Sequence, residues 1–241
     1  MLMLILLVSL PLTFSDNITA AENEYLKSHC GDHFLSPTVL HRHKRSMGGT
    51  KAKQNEFPWI AALYMKRAVP VSSSWEIDKM ACSAVQISDK HVLTAAHCTV
   101  QNSQYLKKFC KEGSGIPNNR KYSVLPSELF TIFIGSGCTN PELCWHNRTN
   151  YTVVQITVHE DYNPCNKLND LAILDISPTI SGKHGSPICM PPPGESLHCK
   201  STFVGFGIDR RVNFFTEVLE YLDWICANTG VCPISKEKNT K

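Results

Sequence analysis

Leu93-Thr94-Ala95-Ala96-His97-Cys98 decides how the rest of the chain is read. It begins as part of a β-branched and apolar run that predicts a strand over 91–95, and it ends on a histidine and a cysteine. Outward from it, residues 59–65, 82–87, 130–134 and 151–159 are likewise rich in β-branched and aromatic side chains and are separated by turn formers. Many short strands, with no convincing helical period before the C-terminus, imply an antiparallel sandwich or barrel. The exception is 217–226, where Val218, Leu219, Leu222, Ile225 and Cys226 share one helical face. Thr216 is its expected N-cap and Gly230 its expected stop.

The ends and the composition bound the function. Residues 1–12 are almost wholly apolar but fall short of the roughly 18 to 20 residues that span a bilayer. They predict a signal peptide over 1–15, cut near Ser15, with Ala20 the alternative point. No membrane partner is expected. Eleven cysteines in a 241-residue chain with such a leader imply a disulfide framework in an oxidising compartment, hence a secreted, extracellular protein. The cysteines are scattered rather than grouped in C-x-x-C knuckles, so no metal and no cofactor is expected. A net charge of +3, with the basic residues spread out, excludes a nucleic-acid footprint. Asn147-Arg148-Thr149 and Asn150-Tyr151-Thr152 are adjacent sequons in a polar stretch and predict glycosylation at Asn147 and Asn150.

The interrupting stretch 99–128 reads as a surface insertion and carries Cys110. That insertion and the sequon loop with Cys138 and Cys144 are candidates to pin one another, but spacing does not determine connectivity. Further on, Tyr162-Asn163-Pro164 precedes Asn169-Asp170-Leu171-Ala172-Ile173-Leu174. An aspartate on a strand edge can accept the Nδ1 proton of a histidine, which fixes the tautomer and leaves Nε2 as the base.

Taken in order, LTAAHC, the Tyr-Asn-Pro to Asp-Leu-Ala-Ile-Leu segment and Tyr221-Leu222-Asp223-Trp224-Ile225 resemble the chymotrypsin/trypsin-like serine proteases over residues 45–227. The resemblance implies an all-β, double antiparallel barrel with a C-terminal α-helix, and His97 and Asp170 as catalytic residues. It also implies a Cys82–Cys98 disulfide holding the histidine loop. Arg42-His43-Lys44-Arg45 followed by Ser46-Met47-Gly48-Gly49 resembles the family's activation junction, which gives a propeptide over 16–45, an activating protease acting at Arg45, and a domain over 46–241 starting at Ser46. Polar Ser46 where the family carries isoleucine loses about 2 kcal/mol of the drive to bury the new terminus. Cys30 and Cys189 match the pair that tethers the propeptide in some members.

The resemblance breaks at 195–213, where most of a second barrel should lie. Phe203-Val204-Gly205-Phe206-Gly207 fits either of two strands of that barrel, and no Gly-Asp-Ser-Gly-Gly occurs anywhere in the sequence. Ser136, Ser181 and Ser196 lack the required context and read as turn residues. The expectation is a first barrel essentially complete, a truncated second barrel, and poor order around Cys199, Cys226 and Cys232. A family member of this kind is a secreted serine endopeptidase in any form that carries the missing loop, and is inactive as written. The alternative is a non-catalytic pseudoprotease that binds another extracellular protein; a disulfide-rich glycoprotein of other ancestry is the third reading. A protein or peptide is the expected partner in the first two.

Overall fold

The computed structural model describes residues 17–31, 56–71, 74–101, 108, 110, 122–135, 149–180, 186–194 and 216–233. Strands β1 (Ile60–Val71), β2 (Ser74–Gln86), β3 (His91–Thr94), β4 (Phe130–Ile134), β5 (Asn150–Val158) and β6 (Ala172–Ser177) close into one antiparallel barrel in the order β1-β2-β3-β6-β5-β4. β4 pairs with β1, Met65 opposite Phe130, so the sheet has no open edge.

Alternate side chains of the strands line the barrel interior. Ala61, Leu63 and Met65 of β1, Phe130, Ile132 and Ile134 of β4, Tyr151 and Val153 of β5, and Leu174 and Ile176 of β6 pack into one cluster. Each fully buried side chain of that size adds about 1.5 to 3 kcal/mol. β6 is buried on both faces through Ile176. Ile173 points the other way and joins Ile87, Leu93 and Leu171 under the C-terminal helix, where Leu222, Ile225 and Val231 complete a second cluster.

Four features depart from the sequence expectations. The β1–β2 hairpin runs well past 65 and starts before 82, with a register continuous from Ile60↔Val85 to Val71↔Ser74, because a backbone ladder does not need apolar side chains to continue. A helix precedes the barrel: α1 (Ala20–His29) is short and mostly polar, so it shows no apolar period, and it is held by a Thr19–Glu22 capping box. The C-terminal helix begins as a 3₁₀ turn, Val218–Tyr221, before α2 (Leu222–Thr229), and Thr216 does not cap it. Gly230 ends it in the left-handed region at φ 75°, as expected. The C-terminal remnant is ordered at Cys226 and Cys232, which are bonded to each other. Cys199, with the rest of 195–215, lies outside the described residues. The fold is all-β with a C-terminal helix, the first barrel is closed, and among the described residues the second is incomplete.

Candidate active site

Antiparallel pairing of β3 with β6 sets Thr94 opposite Ala172. The chain leaving β3 and the chain entering β6 therefore meet at one barrel rim, which brings His97, three residues past Thr94, beside Asp170, two before Ala172. The Asp170 carboxylate is used twice. Its Oδ2 lies 2.7 Å from His97 Nδ1, and its Oδ1 accepts the His97 backbone N–H at 2.8 Å. Two bonds to one residue fix both the position and the tilt of the imidazole. The aspartate side chain is mostly covered, at 12 % exposure, while the histidine is half exposed, at 50 %. With Nδ1 engaged as donor, Nε2 is left as the basic nitrogen on the open side.

Burial pushes the Asp170 carboxyl up, but the His97 ring hydrogen bond, the His97 charge, its backbone N–H and the Lys167 charge together hold it below its ordinary value of 3.8. A carboxyl whose folded value is depressed stabilises the fold fully above its unfolded value and loses that contribution as pH falls through the folded one. Thermal melts should therefore show Asp170→Asn destabilised against wild type at pH 7, with the gap closing below about pH 4. A gap that stays constant down to pH 2 would contradict the ion-paired geometry.

Cys82 and Cys98 are bonded as the resemblance implied, with Cα atoms 6.4 Å apart. The bridge ties β2 to the 3₁₀ turn Ala96–Cys98 that carries His97. Loop-closure entropy for a link of this span is worth about 3 kcal/mol, and the double Cys82→Ser, Cys98→Ser variant should lose about that much in urea unfolding. The sulfurs of Cys82 and Cys98 lie with a His97 nitrogen inside 4.8 Å of one another, but both are consumed by the disulfide and are not thiolate ligands.

A second ring of groups supports Asp170. Its carbonyl accepts the Thr216 hydroxyl at 3.2 Å, and the neighbouring Asn169 binds the Tyr221 hydroxyl at 2.8 Å and the Asp161 carbonyl at 3.0 Å. Asn169 sits at φ 53°, a conformation asparagine tolerates better than most residues. Glu160 accepts the Trp224 indole N–H, and the His159 ring packs on Tyr221 and Trp224. The start of the C-terminal helix thus anchors the loop that presents the aspartate. The sequence reading missed these groups because Thr216 and Tyr221 lie 46 and 52 residues from their partners; the only local trace is the Asn-Asp pair itself.

The remaining sites divide as follows. Cys30–Cys189 is formed, with Cα atoms 5.0 Å apart. Cys110 bonds Cys165, not the sequon loop, so the insertion is tied to the approach to Asp170. Asn150 is exposed at the start of β5. Arg45, Ser46, Asn147, Cys138, Cys144, Ser136, Ser181 and Ser196 lie outside the described residues. No helix among the described residues is long and apolar enough to cross a membrane.

A closed six-stranded barrel with an aspartate-oriented histidine at its rim, the Cys82–Cys98 bridge behind that histidine and a C-terminal helix on its flank defines a trypsin-like serine protease domain. More narrowly, the chain belongs to the nematode trypsin-6-like family, whose model matches residues 1–212. It is similar to the proclotting enzyme of Tachypleus tridentatus, with 26 % identity over 163 residues covering 67 % of this chain and 36 % of that protein. Phenoloxidase-activating factor 3 of Holotrichia diomphalia is 28 % identical over 152 residues, or 62 % of this chain and 38 % of that one. The inactive CLIP domain-containing serine protease A8 of Anopheles gambiae is 27 % identical over 178 residues, or 72 % and 41 %. The chain spans well under half the length of these relatives.

Proposed function

We propose that this chain is a secreted, zymogen-like member of the trypsin-like peptidases that retains the general base and its orienting carboxylate but, as given, does not hydrolyse peptide bonds. The observation that carries the reading is the two-point Asp170–His97 contact, joined to a sequence without Gly-Asp-Ser-Gly-Gly. Acyl transfer needs a hydroxyl for Nε2 to deprotonate and paired backbone N–H groups for the oxyanion, and that loop supplies both in this family. In a product that carries the loop, His97 acts as base and then acid, Asp170 stabilises the imidazolium, and the substrate is a protein or peptide. Cleavage after Arg45 by another protease converts the precursor, and glycans sit at Asn147 and Asn150.

A fluorophosphonate probe, which labels activated serines, tests this on the 241-residue protein cut after Arg45. No labelling is expected; a labelled serine would overturn the inactive assignment. Sequencing transcripts across 194–214 separates the enzyme from the second reading. A longer message encoding Gly-Asp-Ser-Gly-Gly supports a peptidase, whereas the short message alone supports a pseudoprotease that binds another extracellular protein. The similarity to a relative named as inactive favours keeping that second reading.

A further inference from the structure

Residues 17–31 fall in the stretch expected to be propeptide, yet they are built into the folded body. The Ile18 side chain is buried, and its amide donates to the Thr229 carbonyl at 2.8 Å. Asn23 is buried and its Oδ1 accepts the Cys232 amide at 3.1 Å. Leu26 packs against the cluster that holds Ile87, Ile225 and Val231, Gly31 donates to the Pro187 carbonyl at 3.0 Å, and Glu22 Oε1 lies 3.7 Å from Lys90 Nζ. These contacts reach both the end of α2 and the barrel, and they are independent of the Cys30–Cys189 bond.

The receiving surface is shaped for the segment. Gly230 already needs its left-handed backbone to end α2, and a Cβ there would run into the Ile18 carbonyl oxygen. Helix α1, at ten residues, is too short to persist in water on its own. Its folding therefore reports its docking.

We infer that residues 17–31 form a permanent clasp over the end of the C-terminal helix. The clasp stays bound, without needing its disulfide, when the chain is cut anywhere between Gly31 and Glu56. The same geometry assigns the signal-peptide cut: it falls before Asn17, because cleavage at Ala20 would discard the buried Ile18 and the Thr19 cap of α1.

Three measurements test this, none of which depends on the protease activity. Intact-mass analysis of the secreted protein should find a terminus at or before Asn17; folded protein starting at Ala20 would overturn the assignment. In a Cys30→Ser, Cys189→Ser variant with a site-specific protease sequence inserted after Arg45, the cut N-terminal fragment should co-elute with the body in non-denaturing size exclusion. Fragment eluting alone would refute the clasp, and adding Gly230→Ala should raise release at least tenfold. Should the double-serine variant not fold, hydrogen exchange on the cut wild-type protein decides. Amides of Ala20–His29 should stay within a few-fold of their uncut rates, and exchange at the rate of a free peptide would overturn the inference.

Discussion

Purified from a secretory host and cut after Arg45, the protein encoded by this sequence should turn over peptide amides about a millionfold more slowly than a trypsin-like enzyme with a complete triad. That figure is the cost of losing the nucleophilic serine in this class of enzyme. Loss of the oxyanion donors with the same loop would account for a further hundredfold to thousandfold only if they act independently, and groups that work as a unit do not multiply. The sharper form of the prediction is a null effect. In trypsin-type enzymes with a complete triad, replacing the triad aspartate by asparagine lowers kcat about 10⁴-fold. If, as proposed, the His97–Asp170 pair has no hydroxyl to activate, Asp170→Asn should leave residual hydrolysis unchanged while still altering stability with pH. A 100-fold or greater drop in residual hydrolysis on Asp170→Asn would mean that some other group is serving as nucleophile.

Phe130→Ala should be the most damaging single substitution considered for the barrel, costing about 3 to 5 kcal/mol. Phe130 is 1 % exposed, it is the first residue of β4, and it pairs with Met65 where β4 meets β1. Truncation removes the ring from the central cluster and leaves a void beside the strand that closes the sheet. Against a total stability of about 5 to 15 kcal/mol, the loss is a large fraction, and it should lower the melting temperature by roughly 10 °C or more. Phe130→Leu keeps most of the volume and should cost about 1 kcal/mol. Guanidinium unfolding would separate the two, with a lowered midpoint at unchanged slope. A loss under 1 kcal/mol for the alanine variant would place Phe130 outside the closed core.

How legible the fold was depended on whether its determinants were local. The β-branched and aromatic side chains of 130–134, 91–95 and 151–159 are a short-range signal, so these strands were read close to their true bounds. Helix α1 was invisible because its stability comes from contacts with α2 and the barrel rather than from an apolar stripe. The Cys110–Cys165 and Cys226–Cys232 pairings were equally hidden, since a cysteine's spacing along the chain says nothing of which sulfur it will meet. Thr216 read as a helix cap on local grounds, but its hydroxyl goes to the Asp170 carbonyl, a partner that only the packing of the C-terminal segment brings within reach.

By itself the sequence determined the family and the residue types on offer: LTAAHC and Asp170 match the family's histidine and aspartate segments, and no Gly-Asp-Ser-Gly-Gly string occurs in it, because residue identity alone decides what can donate or accept a proton. Only the tertiary structure decided that the carboxylate grips His97 at both the ring and the backbone, that α2 anchors the loop carrying that carboxylate, and that residues 17–31 belong to the folded body. Each depends on distances between residues far apart in the chain, and those distances are set by the register of β3 against β6 and by the apolar face shared between the barrel and the C-terminal helix.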